Sequence, residues 1–134
     1  MKLLLCSEGF FTEEIVKKCE ELVGKGRDVI NVAVINEAYA VQRSNLRWVM
    51  NNLRLVKNNF GGNLELVNLL ALGIDDVKAR ILENDVIFVV GGNVDYLMSV
   101  FEKTGFSKLL PELLKTKVYV GSSAGSMVMG KRLP

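Results

Sequence analysis

At 134 residues the chain is long enough for a single domain with a buried core. Hydrophobic residues at 49% and charged residues at 24% form an ordinary globular balance, which excludes a disordered or fibrous chain. A formal charge of only +2, with scattered Lys and Arg, argues against a nucleic-acid partner, and no apolar run approaches the length of a membrane span.

Lys2 to Cys6 reads as a buried first strand. Its apolar stretch is too short for a signal peptide, and Ser7-Glu8-Gly9 follows at once. Thr12 fits a helix N-cap, with Glu13 and Glu14 in the first turn, where the helix dipole favours acids. Phe11, Ile15, Cys19, Leu22 and Val23 recur at helical spacing, and Gly24 and Gly26 stop that helix. Asp28 to Ile35 is β-branched and apolar, a second strand. From Gln42 to Phe60 the spacing returns to helical, with Leu46, Val49, Met50, Leu53, Val56 and Phe60 on one face before Gly61-Gly62. Asn63 to Leu70 alternates as a third strand, and Asp75 is expected to cap a short helix carrying Val77, Ile81 and Leu82.

Asp85 to Val90 (DVIFVV) is the clearest strand, followed by Gly91-Gly92-Asn93 and a helix with Val94, Leu97, Met98 and Phe101 inward. Thr104-Gly105 breaks it, and a further helix runs over about 107–114, with Pro111 in its early turns or at a kink. Lys117 to Val120 is the fifth strand. Alternating apolar strands and helices predict an α/β fold: a three-layer αβα sandwich on a mostly parallel, flavodoxin-like five-stranded sheet. Ligands in such sheets bind beyond the carboxyl ends of the strands. Strands four and five both end there in glycine-rich turns, which are expected to be neighbours.

The fifth strand runs into Gly121-Ser122-Ser123-Ala124-Gly125, a G-x-S-x-G pattern. A serine on a tight strand-to-helix turn is pushed into solvent, and the flanking glycines permit backbone angles other residues resist. The first N–H groups of the following helix lack internal partners and can hold developing negative charge. Ser123 is therefore a candidate nucleophile. The pattern by itself also suits a small-residue packing turn or a phosphate-cradling loop. Asn93 in its turn suits a helix N-cap.

The chain contains no histidine, the usual base for a serine hydroxyl. Lys131 and Arg132 follow Ser123 closely, but a solvated lysine stays protonated near neutral pH and makes no base. Arg43, Arg47 and Trp48 could reach a substrate carboxylate, although a solvated helix face accounts for them as well. Glu8, past the first strand, could serve as an acid or base or simply solvate its loop. Cys6 and Cys19 lack metal or CxxC spacing. With no export signal they suggest small core residues in a reducing cytoplasm.

The two turns, GGN after DVIFVV and GSSAG after KVYV, with VDYLMSVFEKTGFSKLLPELLK between them, resemble the dipeptidase E family of serine peptidases. That family includes cyanophycinases and has a class I glutamine amidotransferase-like fold. The resemblance covers most of the chain and is densest from Asn84 to Met129. It implies that residues 1–134 form one such domain, with Ser123 as nucleophile and the N–H groups of Gly92 and Ala124 as an oxyanion hole. Asn93 would touch substrate or only cap its helix. It implies a short, Asp-X-like peptide as substrate and no metal or organic cofactor. Cys6 lies on the wrong strand to stand in for an amidotransferase cysteine. The family's base histidine and its acidic partner lie downstream of the serine helix, at positions this sequence does not contain. The expectation is an amino-terminal portion of such a peptidase, inactive alone. A short non-catalytic relative that binds an anionic ligand, and a base supplied by a partner chain, are the alternatives. An uncovered sheet edge predicts a homodimer or larger assembly.

Overall fold

A computed structural model of the chain describes residues 1–7, 12–41 and 47–132, with side chains through 130. Among these residues five strands form one all-parallel sheet in the order β1-β5-β4-β2-β3. They are β1 (Lys2–Cys6), β2 (Val32–Ile35), β3 (Leu64–Leu66), β4 (Val86–Val89) and β5 (Val118–Ser122). Six α-helices among the described residues connect or follow them: α1 (Glu13–Val23), α2 (Arg47–Asn59), α3 (Ile74–Leu82), α4 (Val94–Thr104), α5 (Phe106–Leu113) and α6 (Ala124–Arg132).

The strand period of two divides the core into layers. Val86, Phe88 and Val90 face one side with Val32, Val34, Val118 and Val120, against Val16 and Cys19 of α1 and Val56 of α2. Ile87 and Val89 face the other side with Ala33, Ile35 and Tyr119, against α3, α4, α5 and α6. The central strands β2, β4 and β5 are buried throughout, whereas the edge strands β1 and β3 are partly exposed. This is the predicted sandwich. The strand order itself was not predicted. It places β5 between β1 and β4, so the two glycine-rich turns leave adjacent strands.

Thr12 caps α1 as expected, its hydroxyl accepting the Ile15 N–H at 3.2 Å. Gly24 closes that helix in the left-handed region at φ 81°. The second strand starts later than its composition suggests. Arg27–Val29 form a 3₁₀ turn, because Arg27 is held by Glu13 and Glu20 and its carbonyl accepts the Gly61 N–H. The third strand stops early at Leu66. The Asn68 side chain accepts from the N–H groups of Leu70 and Ala71 at 3.0 Å each, and this local turn takes the chain off the sheet. Gly73, not Asp75, is the N-cap of α3, and Asp75 sits in its first turn. Met50 points outward at 55% exposed, while Val49 and Val56 carry the buried face of α2. Pro111 lies inside α5, past its first turn. Phe11, Gln42 and Leu46 lie outside the described residues. Among the described residues no helix is long and apolar enough to cross a membrane.

Candidate active site

β5 ends at Ser122 and α6 begins at Ala124, leaving Ser123 alone at the bend. Its φ of 54° is the only positive value at a non-glycine position among the described residues. An L-residue in this region carries local strain and persists where its surroundings fix it. They do so here. The Ser123 N–H donates to the Cys6 carbonyl at 3.0 Å, and the Ser123 carbonyl accepts from Ser126 and Met127, each at 2.9 Å. The Ser126 hydroxyl, 2.7 Å from the carbonyls of both Cys6 and Gly121, ties β1 to the turn. The side chain of Ser123 is exposed, while Ser122 and Ala124 on either side are buried.

The glycines around it are steric requirements. A Cβ on Gly125 would lie 2.1 Å from the Val89 carbonyl oxygen, so α6 rests directly on β4. A Cβ on Gly121 would lie 2.6 Å from the Gly125 carbonyl oxygen. That carbonyl also accepts a 2.7 Å hydrogen bond from the buried Tyr119 hydroxyl. The G-x-S-x-G pattern is thus what a helix pressed onto two adjacent strands demands.

The Gly91-Gly92-Asn93 turn stands beside this bend. A Cβ on Gly91 would lie 3.0 Å from Ser123 Cβ and 3.5 Å from its Oγ. Gly92 has φ +147°, and a Cβ there would lie 2.2 Å from the Ala38 carbonyl oxygen. Asn93 donates its N–H to that same carbonyl at 2.8 Å. Its side-chain oxygen accepts the Tyr96 N–H at 2.8 Å, so Asn93 caps α4. Neither the Gly92 nor the Ala124 N–H has an acceptor among the described residues. Ser123, Gly92, Ala124 and Asn93 therefore share one end of the sheet, beyond the carboxyl ends of β4 and β5.

Other candidates fall elsewhere. Cys6 contributes its backbone carbonyl to the turn, and partial burial raises its thiol pKa. Cys19 is fully buried in the core, its thiol pushed up to about 12 by desolvation, with Cys6 and Glu20 adding to the rise. Arg47 and Trp48 line a shallow groove of about 550 Å³ along α2 with Met50, Asn51 and Arg54, and no residue of the serine turn lines it. Glu8, Arg43 and the side chains of Lys131 and Arg132 lie outside the described residues. Among the described residues no His, Cys, Asp and Glu cluster could hold a metal ion.

One buried group escaped the sequence reading. Glu37, in a 3₁₀ turn (Glu37–Tyr39) after β2, is 5% exposed. Its carboxylate accepts the Leu69 N–H at 3.0 Å. Its only local signal is an acidic residue two positions after a buried strand.

The model of peptidase family S51 matches residues 3–133. The chain belongs to peptidase family S51. It is similar to an uncharacterized peptidase of Listeria innocua, 39% identical over 56 residues, which are 41% of this chain and 27% of that protein. It is also similar to an uncharacterized peptidase of Listeria monocytogenes, 32% identical over 66 residues, 48% of this chain and 32% of that protein. Among solved structures it resembles the "Putative Peptidase E Protein" of Listeria monocytogenes EGD-e, with a TM-score of 0.78 at 27% identity, covering 93% of this chain and 60% of that one. A peptidase from an acI-B1 actinobacterium has the same fold, with a TM-score of 0.64 at 21% identity over 95% of this chain and 55% of that one. The matched segments thus span about a third of the curated relatives' length, and the S51 chain spans somewhat over half of each solved relative.

Proposed function

We propose that this S51 chain carries the nucleophile side of a serine-peptidase site of the dipeptidase E type. The observation that carries the proposal is Ser123 itself: an exposed serine at φ 54° between β5 and α6, with the Gly91 backbone against its side chain. The Ser123 oxygen attacks the carbonyl carbon of a short peptide, and its proton passes to a base. The tetrahedral oxyanion accepts hydrogen bonds from the N–H groups of Gly92 and Ala124. Each such donor is worth about 3–4 kcal/mol of transition-state stabilisation. The amine departs with a proton, leaving an acyl-serine that water hydrolyses. An Asp-X dipeptide is the proposed substrate class, from the family resemblance.

The 134 residues include no histidine, the usual base for a serine hydroxyl. The chain alone is expected to hydrolyse Asp-X dipeptides at a small fraction of an ordinary enzymatic rate, helped only by oxyanion binding. Turnover at ordinary rates by the purified chain, lost in Ser123→Ala, would refute that expectation. The nucleophile assignment is tested by a fluorophosphonate probe with intact-mass detection. One adduct is expected, absent in Ser123→Ala.

The acceptor-free N–H groups also favour a second reading, a non-catalytic module that binds an anion at the start of α6. That reading expects saturable phosphate binding and no covalent adduct. An adduct at Ser123 counts against it.

A further inference from the structure

We propose that Glu37 is a positioning residue that holds the Gly91-Gly92-Asn93 turn in place against Ser123. Its consequence for reactivity rests on the serine-peptidase reading above, whereas its geometry stands without it.

A buried carboxylate is costly unless its oxygens accept hydrogen bonds. Glu37 Oε1 accepts the Leu69 N–H at 3.0 Å in a buried bond. Oε2 lies 3.4 Å from the Leu70 nitrogen, whose N–H also points to Asn68 Oδ1 at 3.0 Å, so this second bond is the weaker. The carboxylate thereby ties the turn after β2 to the segment that leaves β3.

The next residue transmits the restraint. Ala38 is fully buried, and its carbonyl accepts the Asn93 N–H at 2.8 Å. Gly92 packs on the same carbonyl so closely that no Cβ fits. Gly91 then packs on Ser123. The path Glu37, Ala38, Gly92 and Asn93, Gly91, Ser123 is therefore made of backbone contacts with little slack. If the Ala38 carbonyl drifts, the Gly92 N–H drifts relative to the serine oxygen. A carboxylate suits this task because it accepts strongly from backbone N–H groups that the sheet no longer pairs.

The test is amide hydrogen exchange by NMR on the 134-residue chain, comparing wild type with Glu37→Gln and Glu37→Asp. Glutamine keeps the size but turns an acceptor into a donor facing Leu70. Aspartate keeps the charge but falls short by one methylene. Loss of a charge-assisted bond is expected to speed exchange of the Leu69 amide about tenfold or more, and that of Asn93 by a similar factor. Aspartate is expected to fall between. Faster exchange at Leu69 with no change at Asn93 in both variants would reduce Glu37 to a local staple and overturn the proposal. If Glu37→Gln does not fold, Glu37→Asp decides by the same criterion.

The second readout is the rate of fluorophosphonate labelling, expected to drop about tenfold in Glu37→Gln. Ser123→Ala separates the two ideas. Persistent labelling in Ser123→Ala sinks the nucleophile assignment, and the exchange data alone then decide Glu37. Labelling lost in Ser123→Ala but unchanged in Glu37→Gln, with Asn93 exchange also unchanged, sinks the Glu37 proposal alone.

Discussion

Gly125→Ala would drive a methyl group into the backbone of β4. The added Cβ would meet the Val89 carbonyl oxygen at 2.1 Å, its carbonyl carbon at 2.9 Å and its Cβ at 3.1 Å. The first distance is about 1.3 Å short of ordinary contact, which begins near 3.4 Å. Val89 is fully buried in a central strand paired on both sides, so it cannot retreat. α6 must move outward instead, straining the Ser123 bend and the Tyr119 bond to Gly125. Overpacking of this kind costs about 3 kcal/mol, the upper part of the usual range. Alanine recovers up to about 1 kcal/mol of helix propensity, leaving a net loss of about 2 kcal/mol. For a domain of this size that is a fall in Tm of about 6–10 °C. Gly130→Ala is the internal control. It makes the same change in the same helix, but a Cβ there meets nothing within 4 Å. Propensity then acts alone, and stability is expected to hold or rise by about 0.5 kcal/mol. Thermal melts and urea titrations of the two variants check this. Equal stability of Gly125→Ala and Gly130→Ala would show that α6 does not rest on β4, and the account of the G-x-S-x-G glycines would fall.

Thr12→Ala removes the side-chain cap of α1 and is expected to cost about 1 kcal/mol in urea denaturation, with Thr12→Ser close to wild type. An unchanged midpoint in Thr12→Ala would count against the cap. Stability is also expected to fall at alkaline pH because of Cys19. Its thiol is pushed from an ordinary 9.0 up to about 12 in the folded chain. Between those values the unfolded chain has lost the proton that the folded chain keeps. The stabilisation is therefore complete below pH 9.0 and is lost as pH rises towards about 12, by up to about 1.4 kcal/mol per pH unit. Cys19→Ala should flatten this part of the profile, and an identical slope in both proteins would rule the thiol out. The same burial predicts that Cys19 resists alkylation at pH 8 until the chain unfolds, while half-exposed Cys6 reacts.

The amino-acid sequence by itself determined what depends on neighbours within a few residues. The two-residue and helical periods, the glycine stops and the Thr12 cap all arise from local backbone preference and from which face must avoid water. The serine bend was legible for the same reason. A strand, a small residue, a serine, a small residue and a glycine prescribe their own geometry. Where local chemistry was misjudged, a longer-range bond had intervened. Arg27, held by α1, keeps residues 27–29 out of β2, and the Asn68 turn peels the chain away after β3. Met50 fits the helical stripe yet stays exposed, because the edge strand β3 leaves that part of α2 uncovered. Only tertiary structure decided that β5 lies between β1 and β4. That order brings the Cys6 carbonyl to the Ser123 N–H and sets Gly91 against the serine side chain. It also decided the role of Glu37, whose partner Leu69 lies 32 residues away. Hydrogen bonds and packing across such separations leave no periodic trace in a sequence, since either partner alone looks like an ordinary loop residue.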